Sequence, residues 1–405
     1  MRVNAIIAEY NPFHNGHLYQ LNESSQQTDA DYTIVLMSGN FVQRGAPAII
    51  DKYTRAKMTL LNGADLVLEL PSYSATGSAE FFARGAISLL NNLGIVTTLS
   101  FGSECGNLSR LLDTATVLSS ESPEFQTILK KHLSTGLTYP LSLQKALQNL
   151  YGSSLTVDIT QPNNILALEY CKALMQTDST ITPFTITRKD TGYHETQLSG
   201  SLSSANAIRL ALGSTNDNDL STLQNTMPES AYDLLVDSVR KNHIMCSNDF
   251  SSVLHYCLLT NRVSGLEHYL DVTSDLSDRI QKHLNDFETY EQFCELIKTK
   301  NITYARISRC LLHILLGITK EDNTPASYIR ILGFRKAAKP LLSSLKSNCN
   351  LPLVTKLADA EKLLSSKDLQ HLQKELSISR IYYSVRATQH HVSMLNEYKQ
   401  PIIIT

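Results

Sequence analysis

Along the first half of the chain, short apolar runs alternate with stretches whose apolar residues recur every three or four positions. The runs are Val3–Ala8 (ended by Glu9), Tyr32–Met37, Leu66–Leu70 and Thr97–Phe101. Leu18–Ser24, Tyr53–Leu61 and Ser78–Leu90 lie between them with helical spacing. Runs this apolar suit strands buried on both faces, and strand–helix alternation predicts a parallel sheet covered on both sides. Helical patterns follow over Leu108–Leu150, then one more strand, Thr182–Thr187, and a helix from Ser204 to Leu212.

The pattern changes at the polar stretch Gly213-Ser-Thr-Asn-Asp-Asn, which reads as a linker. Beyond it the periodicity is mostly helical: Tyr232–Arg240, Phe250–Leu259, Leu276–Asn285, Tyr290–Thr299, Ile302–Leu316 and Ala358–Leu372. The expectation is an α/β domain over residues 1–214 and a mostly α-helical domain over 215–405. The closing Pro401-Ile-Ile-Ile-Thr is apolar enough to dock against the rest.

Composition narrows the class. In 405 residues, 42% are hydrophobic and 18% charged, enough for two or three cores. The net charge of -2 rules out a global basic field, so nucleic acid would need a local basic surface. Seven cysteines without a CxxC pair read as reduced thiols, and no His, Cys, Asp and Glu spacing suggests a metal site. No leader-like segment and no apolar run of about 20 residues occurs, so the expectation is a cytoplasmic protein outside the membrane.

The chemistry concentrates at Ala5-Ile-Ile-Ala-Glu-Tyr-Asn-Pro-Phe-His-Asn-Gly-His-Leu. A strand ends, Pro12 turns the chain, and His14-Asn15-Gly16-His17 opens a helix. Such a helix start at the carboxyl edge of a parallel sheet offers free N–H groups and a favourable dipole to a phosphate. His14 and His17, three apart, share a face and can donate to phosphate oxygens as charge develops on them. The side chain missing at Gly16 allows close approach of a nucleotide. Far along the chain, Ser203-Ser204-Ala205-Asn206-Ala207-Ile208-Arg209 can cap a helix with Ser204 and aim Arg209 at a phosphate. The loop Ser38-Gly39-Asn40-Phe41-Val42-Gln43-Arg44-Gly45 also follows a strand; Gln43 and Arg44 are candidates for a phosphate or carboxylate contact, helped by Lys52 and Arg55.

HxGH followed by an SSxxxR-like element is similar to the HxGH nucleotidyltransferases, with Ala205 in place of the second serine. Longer blocks narrow this. IIAEYNPFHNGHLYQL, MSGNFVQRGAPAIIDKYTRAKMTLLNGADLVLELP, LSFGSECG, QPNNILALEY, ITRKDTGYHE and YIRILGFRKAAKPLL resemble the bacterial tRNA(Met) cytidine acetate ligase family over nearly the whole chain. The resemblance implies a Rossmann-like HxGH nucleotidyltransferase fold. It also implies a reaction in which acetate and ATP give acetyl-adenylate and pyrophosphate. The acetyl group then passes to the exocyclic amine of the wobble cytidine in elongator tRNA(Met), giving N4-acetylcytidine. By position, the ATP site would comprise Ile7, Ala8, Glu9, Tyr10, Asn11, Pro12, Phe13, His14, Asn15, Gly16, His17, Leu18, Tyr19 and Gln20, with Gly102, Asn163, Arg188 and Lys189. His14 and His17 would be catalytic; Mg²⁺ would arrive with ATP, held mainly by phosphates. No stable protein partner is expected.

For the RNA, Asn301–Lys346 carries eight Lys and Arg against Glu321 and Asp322. Arg306, Arg309, Arg330, Arg335, Lys336 and Lys339 are the candidate contacts, with Tyr304, Tyr328 and Phe334 available to stack on bases. A small-molecule adenylyltransferase of cofactor biosynthesis is the rival reading; it would share HxGH but not need this stretch. A non-catalytic RNA-binding protein that senses ATP is a third, against which the intact histidines count.

Overall fold

A computed structural model describes residues 1–405 apart from 121, 153–155, 189–201 and 215–219. Strands β1 (Val3–Ala8), β2 (Tyr32–Ser38), β3 (Phe41–Val42), β4 (Ala46–Pro47), β5 (Leu66–Leu70), β6 (Thr98–Ser103) and β7 (Thr182–Thr187) come from the first half. β8 (Ile329–Phe334), β9 (Leu353–Val354) and β10 (Ile403–Ile404) come from the second. The helices of the first half are α1 (Asn15–Gln27), α2 (Lys52–Leu61), α3 (Ser72–Ala75), α4 (Ala79–Leu93), α5 (Leu108–Ser119), α6 (Pro123–Ser134), α7 (Tyr139–Tyr151), α8 (Pro162–Gln176) and α9 (Ala205–Ser214). Those of the second are α10 (Glu229–Arg240), α11 (Ser251–Thr260), α12 (Ser274–Lys282), α13 (Tyr290–Ile297), α14 (Tyr304–Leu316), α15 (Lys339–Asn348), α16 (Ala360–Leu363) and α17 (Ser366–His390).

The main sheet runs β10-β8-β5-β2-β1-β6-β7, with β9 beside β8. β5, β2, β1, β6 and β7 are all parallel, as the apolar runs predict. Along β2, Ile34 and Leu36 enter one core while Val35 and Met37 enter the other. Burial on both faces is why β2 lacks a polar alternation, whereas the edge strand β7 carries Thr182, Thr185 and Thr187 and is only partly buried. β1 is central, so the turn leaving its carboxyl end sits where neighbouring crossovers diverge and ligands gather.

The second half is mostly helical, but it does not stand apart from the sheet. β8 pairs antiparallel with β5, and the apolar tail becomes β10, parallel to β8. α17 lies across the carboxyl-edge loops of the first half: Asn40 donates to Ser379 at 2.9 Å, Tyr382 to the Ala48 carbonyl at 2.9 Å, and Arg386 pairs with Asp51 at 3.4 Å. The linker read at Gly213 thus separates two stretches of chain that share one sheet.

Candidate active site

The turn from β1 to α1 begins with Tyr10 in the left-handed region, φ 49°, and a cis Asn11–Pro12 bond. His14 is the N-cap of α1. The first N–H groups of a helix lack internal partners, and here two imidazoles supply them. The Gly16 N–H donates to His14 Nδ1 at 3.0 Å, and the His14 N–H donates to His17 Nδ1 at 3.3 Å. A ring nitrogen that accepts carries no proton, so each neutral imidazole keeps its proton on Nε2. The rings lie 3.7 Å apart between centroids, and Tyr10 packs 4.7 Å from His17. Burial, then Arg188 and Arg209, push His14 down to about 3. Burial, then His14 and Arg188, hold His17 well below its usual value. The site therefore offers two neutral N–H donors at neutral pH.

Beside β1, the end of β6 builds one wall. The Glu104 carboxylate accepts from the Asn163 N–H at 3.1 Å, the Asn163 amide at 2.7 Å and the Asn164 N–H at 2.7 Å, which anchors the start of α8. Asn164 Oδ1 accepts in return from the Glu104 and Cys105 N–H groups, both at 3.1 Å. Arg188, just past β7, donates to Asn163 Oδ1 at 3.0 Å. A Cβ at Gly102 would stand 3.3 Å from Arg188 Cγ, so the glycine lets that side chain lie across the strand end. The structure thus joins Gly102, Asn163 and Arg188, far apart in sequence, next to the histidines. It adds Glu104 and Asn164 as their organisers, which sequence reasoning missed as a pair. Lys189 lies outside the described residues.

The opposite wall comes from α9 and the β2–α2 loop. Ser204 Oγ caps α9, accepting from the Ala207 N–H at 3.1 Å, and Ser203 is buried beside it. Arg209 Nη1 donates to the Asn11 carbonyl at 2.7 Å, binding α9 to the HxGH turn. Glu9 Oε1 accepts from the Gln43 N–H at 2.8 Å. Burial lowers the Arg209 guanidinium, Glu9 opposes that effect and Arg44 adds to it, which places Arg44 in the same field. Arg44, Arg188 and Arg209 against Glu9 and Glu104 leave the pocket net positive, as an ATP phosphate chain requires.

Lys52 and Arg55 take other roles than the sequence reading expects. Arg55 is fully buried: its Nη1 donates to the Glu9 carbonyl at 2.6 Å and the Ser38 carbonyl at 3.1 Å, its Nε to Ile50 at 3.0 Å, and its Nη2 to Gly39. It shapes the loop from beneath. Lys52 sits in an ionic cluster, 2.7 Å from Glu69 and 3.1 Å from Glu397. Gly45, at φ 79°, lets the loop tip press on α14, where a Cβ would meet the Arg309 backbone nitrogen at 2.3 Å. Tyr290 and Ser308 hydroxyls donate to the Gly45 carbonyl at 3.1 and 2.8 Å.

The basic stretch Asn301–Lys346 does not form one face. Arg330 is buried in the same ionic cluster, 2.7 Å from Glu397 and 3.4 Å from Glu69, with the Tyr53 hydroxyl at 2.7 Å. Tyr328 is buried too. Arg335 follows the end of β8, which pairs with Leu66 at the start of β5, and its N–H donates to the Asp65 carbonyl at 2.9 Å. Arg335, Lys336 and Lys339 therefore lie at the amino edge, roughly 17 Å of strand from the histidines' edge. Arg309 is mostly buried, 3.8 Å from Asp271, and Arg306 is half-buried. These two, on α14, remain beside the Gly45 loop. Among the described residues, no group of three or more His, Cys, Asp or Glu side chains converges to hold a metal, and no helix is long and apolar enough to cross a membrane.

Comparison with known proteins extends this geometry. A family model described as HIGH Nucleotidyl Transferase matches residues 1–397. A Clostridium tetani protein named tRNA(Met) cytidine acetate ligase is 40% identical over 368 residues, 88% of this chain and 91% of that protein. A Thermoanaerobacter sp. (strain X514) protein of the same name is 41% identical over 387 residues, 94% and 95% of the two chains. The crystal structure of Thermotoga maritima TmcAL superimposes with a TM-score of 0.91 at 29% identity, covering 100% of this chain and 99% of that one. A second structure of the same protein, bound with alpha-thio ATP, gives 0.89 at 29% identity.

Proposed function

This chain belongs to the tRNA(Met) cytidine acetate ligases within the HIGH nucleotidyl transferases, and on that premise we propose that it makes acetyl-adenylate from acetate and ATP and acetylates the wobble cytidine of elongator tRNA(Met). The observation that carries the chemistry is the His14–His17 pair, each Nδ1 accepting a backbone N–H and each ring left with one Nε2–H. An acetate oxygen attacks the α-phosphorus; pyrophosphate leaves. The two Nε2–H groups donate to the oxygens of the five-coordinate phosphorus, where charge grows most, and cost no reorganisation because the capping bonds already fix the rings. Arg44, Arg188 and Arg209 offset the charge of the triphosphate. Gly102, Asn163 and Arg188 form the adenosine side of the pocket, and Gln43 with Arg44 the acetate or pyrophosphate side.

In the second step the cytidine amine attacks the acetyl carbonyl, AMP departs with the carbon–oxygen bond pair, and the amine's proton passes to water or to a phosphate oxygen of the departing AMP. Acetyl-adenylate hydrolyses readily, so shielding by the β2–α2 loop, held by Arg55 below and α17 beside it, serves the same end. Magnesium would arrive as ATP's counter-ion and would offset charge on the triphosphate. The phosphates would be its main ligands, as is usual for this ion; Glu9 and Glu104 accept backbone N–H groups in the loops around them. The tRNA is the reason we assign the protein to the cytoplasm and Arg306 and Arg309 to the RNA side. A cofactor adenylyltransferase is disfavoured, because the named relatives match almost end to end.

ATP–pyrophosphate exchange tests the first step. Exchange should require acetate and vanish in His17→Ala; labelled acetate should then appear in tRNA(Met) as N4-acetylcytidine. Exchange that ignores acetate, or acetate that never reaches cytidine, overturns the assignment.

A further inference from the structure

With Arg330 buried and Arg335, Lys336 and Lys339 at the amino edge, the RNA needs another basic surface on the carboxyl-edge side. The helical hairpin α6–α7 supplies one. No Asp or Glu occurs between Glu124 and Asp158, while Lys130, Lys131 and Lys145 do. One face of the hairpin is core: Phe125 and Leu129 of α6 and Ala146 and Leu147 of α7 join the apolar cluster under the sheet. The other face is open. Thr127, Lys130, Lys131 and Ser134 are exposed at helical spacing on α6, as are Lys145 and Gln148 on α7. At the tip, Tyr139 is 55% and Leu141 43% exposed.

The tip also reaches the right place. Lys300, in the segment joining α13 to α14, donates from Nζ to the Gly136 carbonyl at 2.9 Å. α14 then packs on Gly45, next to Arg44 of the site. The hairpin therefore springs from the β6 side of the sheet, and its tip touches Lys300, four residues ahead of α14, the helix that carries Ser308 against Gly45.

Building on the ligase reading, we propose that the α6–α7 hairpin is an RNA-docking arm, in which Lys130, Lys131 and Lys145 contact the tRNA phosphate backbone and Tyr139 meets an unpaired base. Glu124, in the first turn, is the one acid on α6; the three lysines beyond it match a polyanion, since phosphate contacts by Lys and Arg dominate RNA affinity. An exposed aromatic at the end of such a row suits a splayed base. A protein partner would be matched by the apolar tip alone and would leave the lysines without purpose.

The test is the triple variant Lys130→Glu, Lys131→Glu, Lys145→Glu, with the triple Lys→Gln as a milder companion, in the full-length protein. Acetate-dependent ATP–pyrophosphate exchange should stay within about twofold, because these lysines lie outside the nucleotide pocket. The KM for tRNA should rise about tenfold or more with kcat nearly held, and the slope of log binding against log salt should lose about 2 to 3 units. Tyr139→Ala should raise the tRNA KM without altering that slope. An unchanged tRNA KM and salt slope overturns the proposal, and so does loss of exchange in the triple variants. If the unaltered protein shows no acetate-dependent exchange, the ligase reading fails instead, and the salt dependence of tRNA binding still decides the arm.

Discussion

His17 does two separable things, and single substitutions can divide them. Its Nδ1 accepts the His14 N–H, which completes the start of α1, and its Nε2–H is the donor assigned to the transition state. His17→Asn keeps an acceptor at the Nδ1 position but loses the far N–H. His17→Gln keeps a donor near Nε2 but loses the cap, and His17→Ala loses both. Removing one donor aimed at developing charge costs about 10²–10³ in rate, or about 2.7–4 kcal/mol. Removing a helix N-cap interaction costs about 1 kcal/mol of stability. Exchange kinetics and urea unfolding should therefore rank the variants differently. Activity should follow Gln above Asn and Ala, while stability should follow wild type and Asn above Gln and Ala. The rates should also lack a histidine-dependent fall between pH 6 and 8, since burial keeps both rings neutral there. Activity that simply tracks stability, or an Asn variant as fast as wild type, refutes the division of roles.

Other outcomes follow from the buried charges. Lys52→Met leaves Glu69 and Glu397 facing Arg330 alone; burial raises the Glu397 carboxyl, Lys52 and Arg330 reverse that, and removing one partner should cost about 3–5 kcal/mol in denaturant unfolding. Burial pushes Glu375 up to about 7 despite hydrogen bonds from the Ser72 hydroxyl and N–H. Its folded value lies above its unfolded one, so the folded state holds the extra proton and stability falls as pH rises from about 4.5 through 7, by on the order of 3 kcal/mol. Glu375→Gln should flatten that part of the stability–pH curve; an unchanged curve shows that another group is responsible. Charge reversal at Arg335, Lys336 and Lys339 together should change the tRNA KM less than about twofold, because they occupy the amino edge; a larger rise would place RNA there.

Much of the fold was legible because its cause is local. β1, β2 and β5 are mostly apolar runs of strand length bounded by turn residues, which read as buried strands. The HxGH turn announces itself through Pro12, two histidines three apart and a helix behind them. β8 was not legible, although Ile329–Phe334 contains four apolar side chains. Its Arg330 reads as a surface charge until Glu397, 67 residues on, and Glu69 are brought against it. The same blindness made Asn301–Lys346 look like one basic face. Summed charge along a chain says nothing about which residues a strand carries to which edge. The lysines of α6 and α7 are visible in the composition, but only packing decides that they point away from the core.

Sequence by itself determined the class of chemistry. Residue types and spacings at one helix start suffice for that, because capping and tautomer follow from atoms within four positions of one another. Tertiary structure decided how the remaining candidates meet. It brought Gly102, Glu104, Asn163, Arg188 and Arg209 to the end of β1. It turned Arg55 from a substrate candidate into a brace, and it divided the basic residues between buried ion pairs, the amino edge and the hairpin. Those assignments depend on contacts between segments tens to hundreds of residues apart, from Arg55 with Glu9 (46) to Arg330 with Tyr53 (277). Burial there sets the cost of every unpaired charge, and no local pattern encodes that cost.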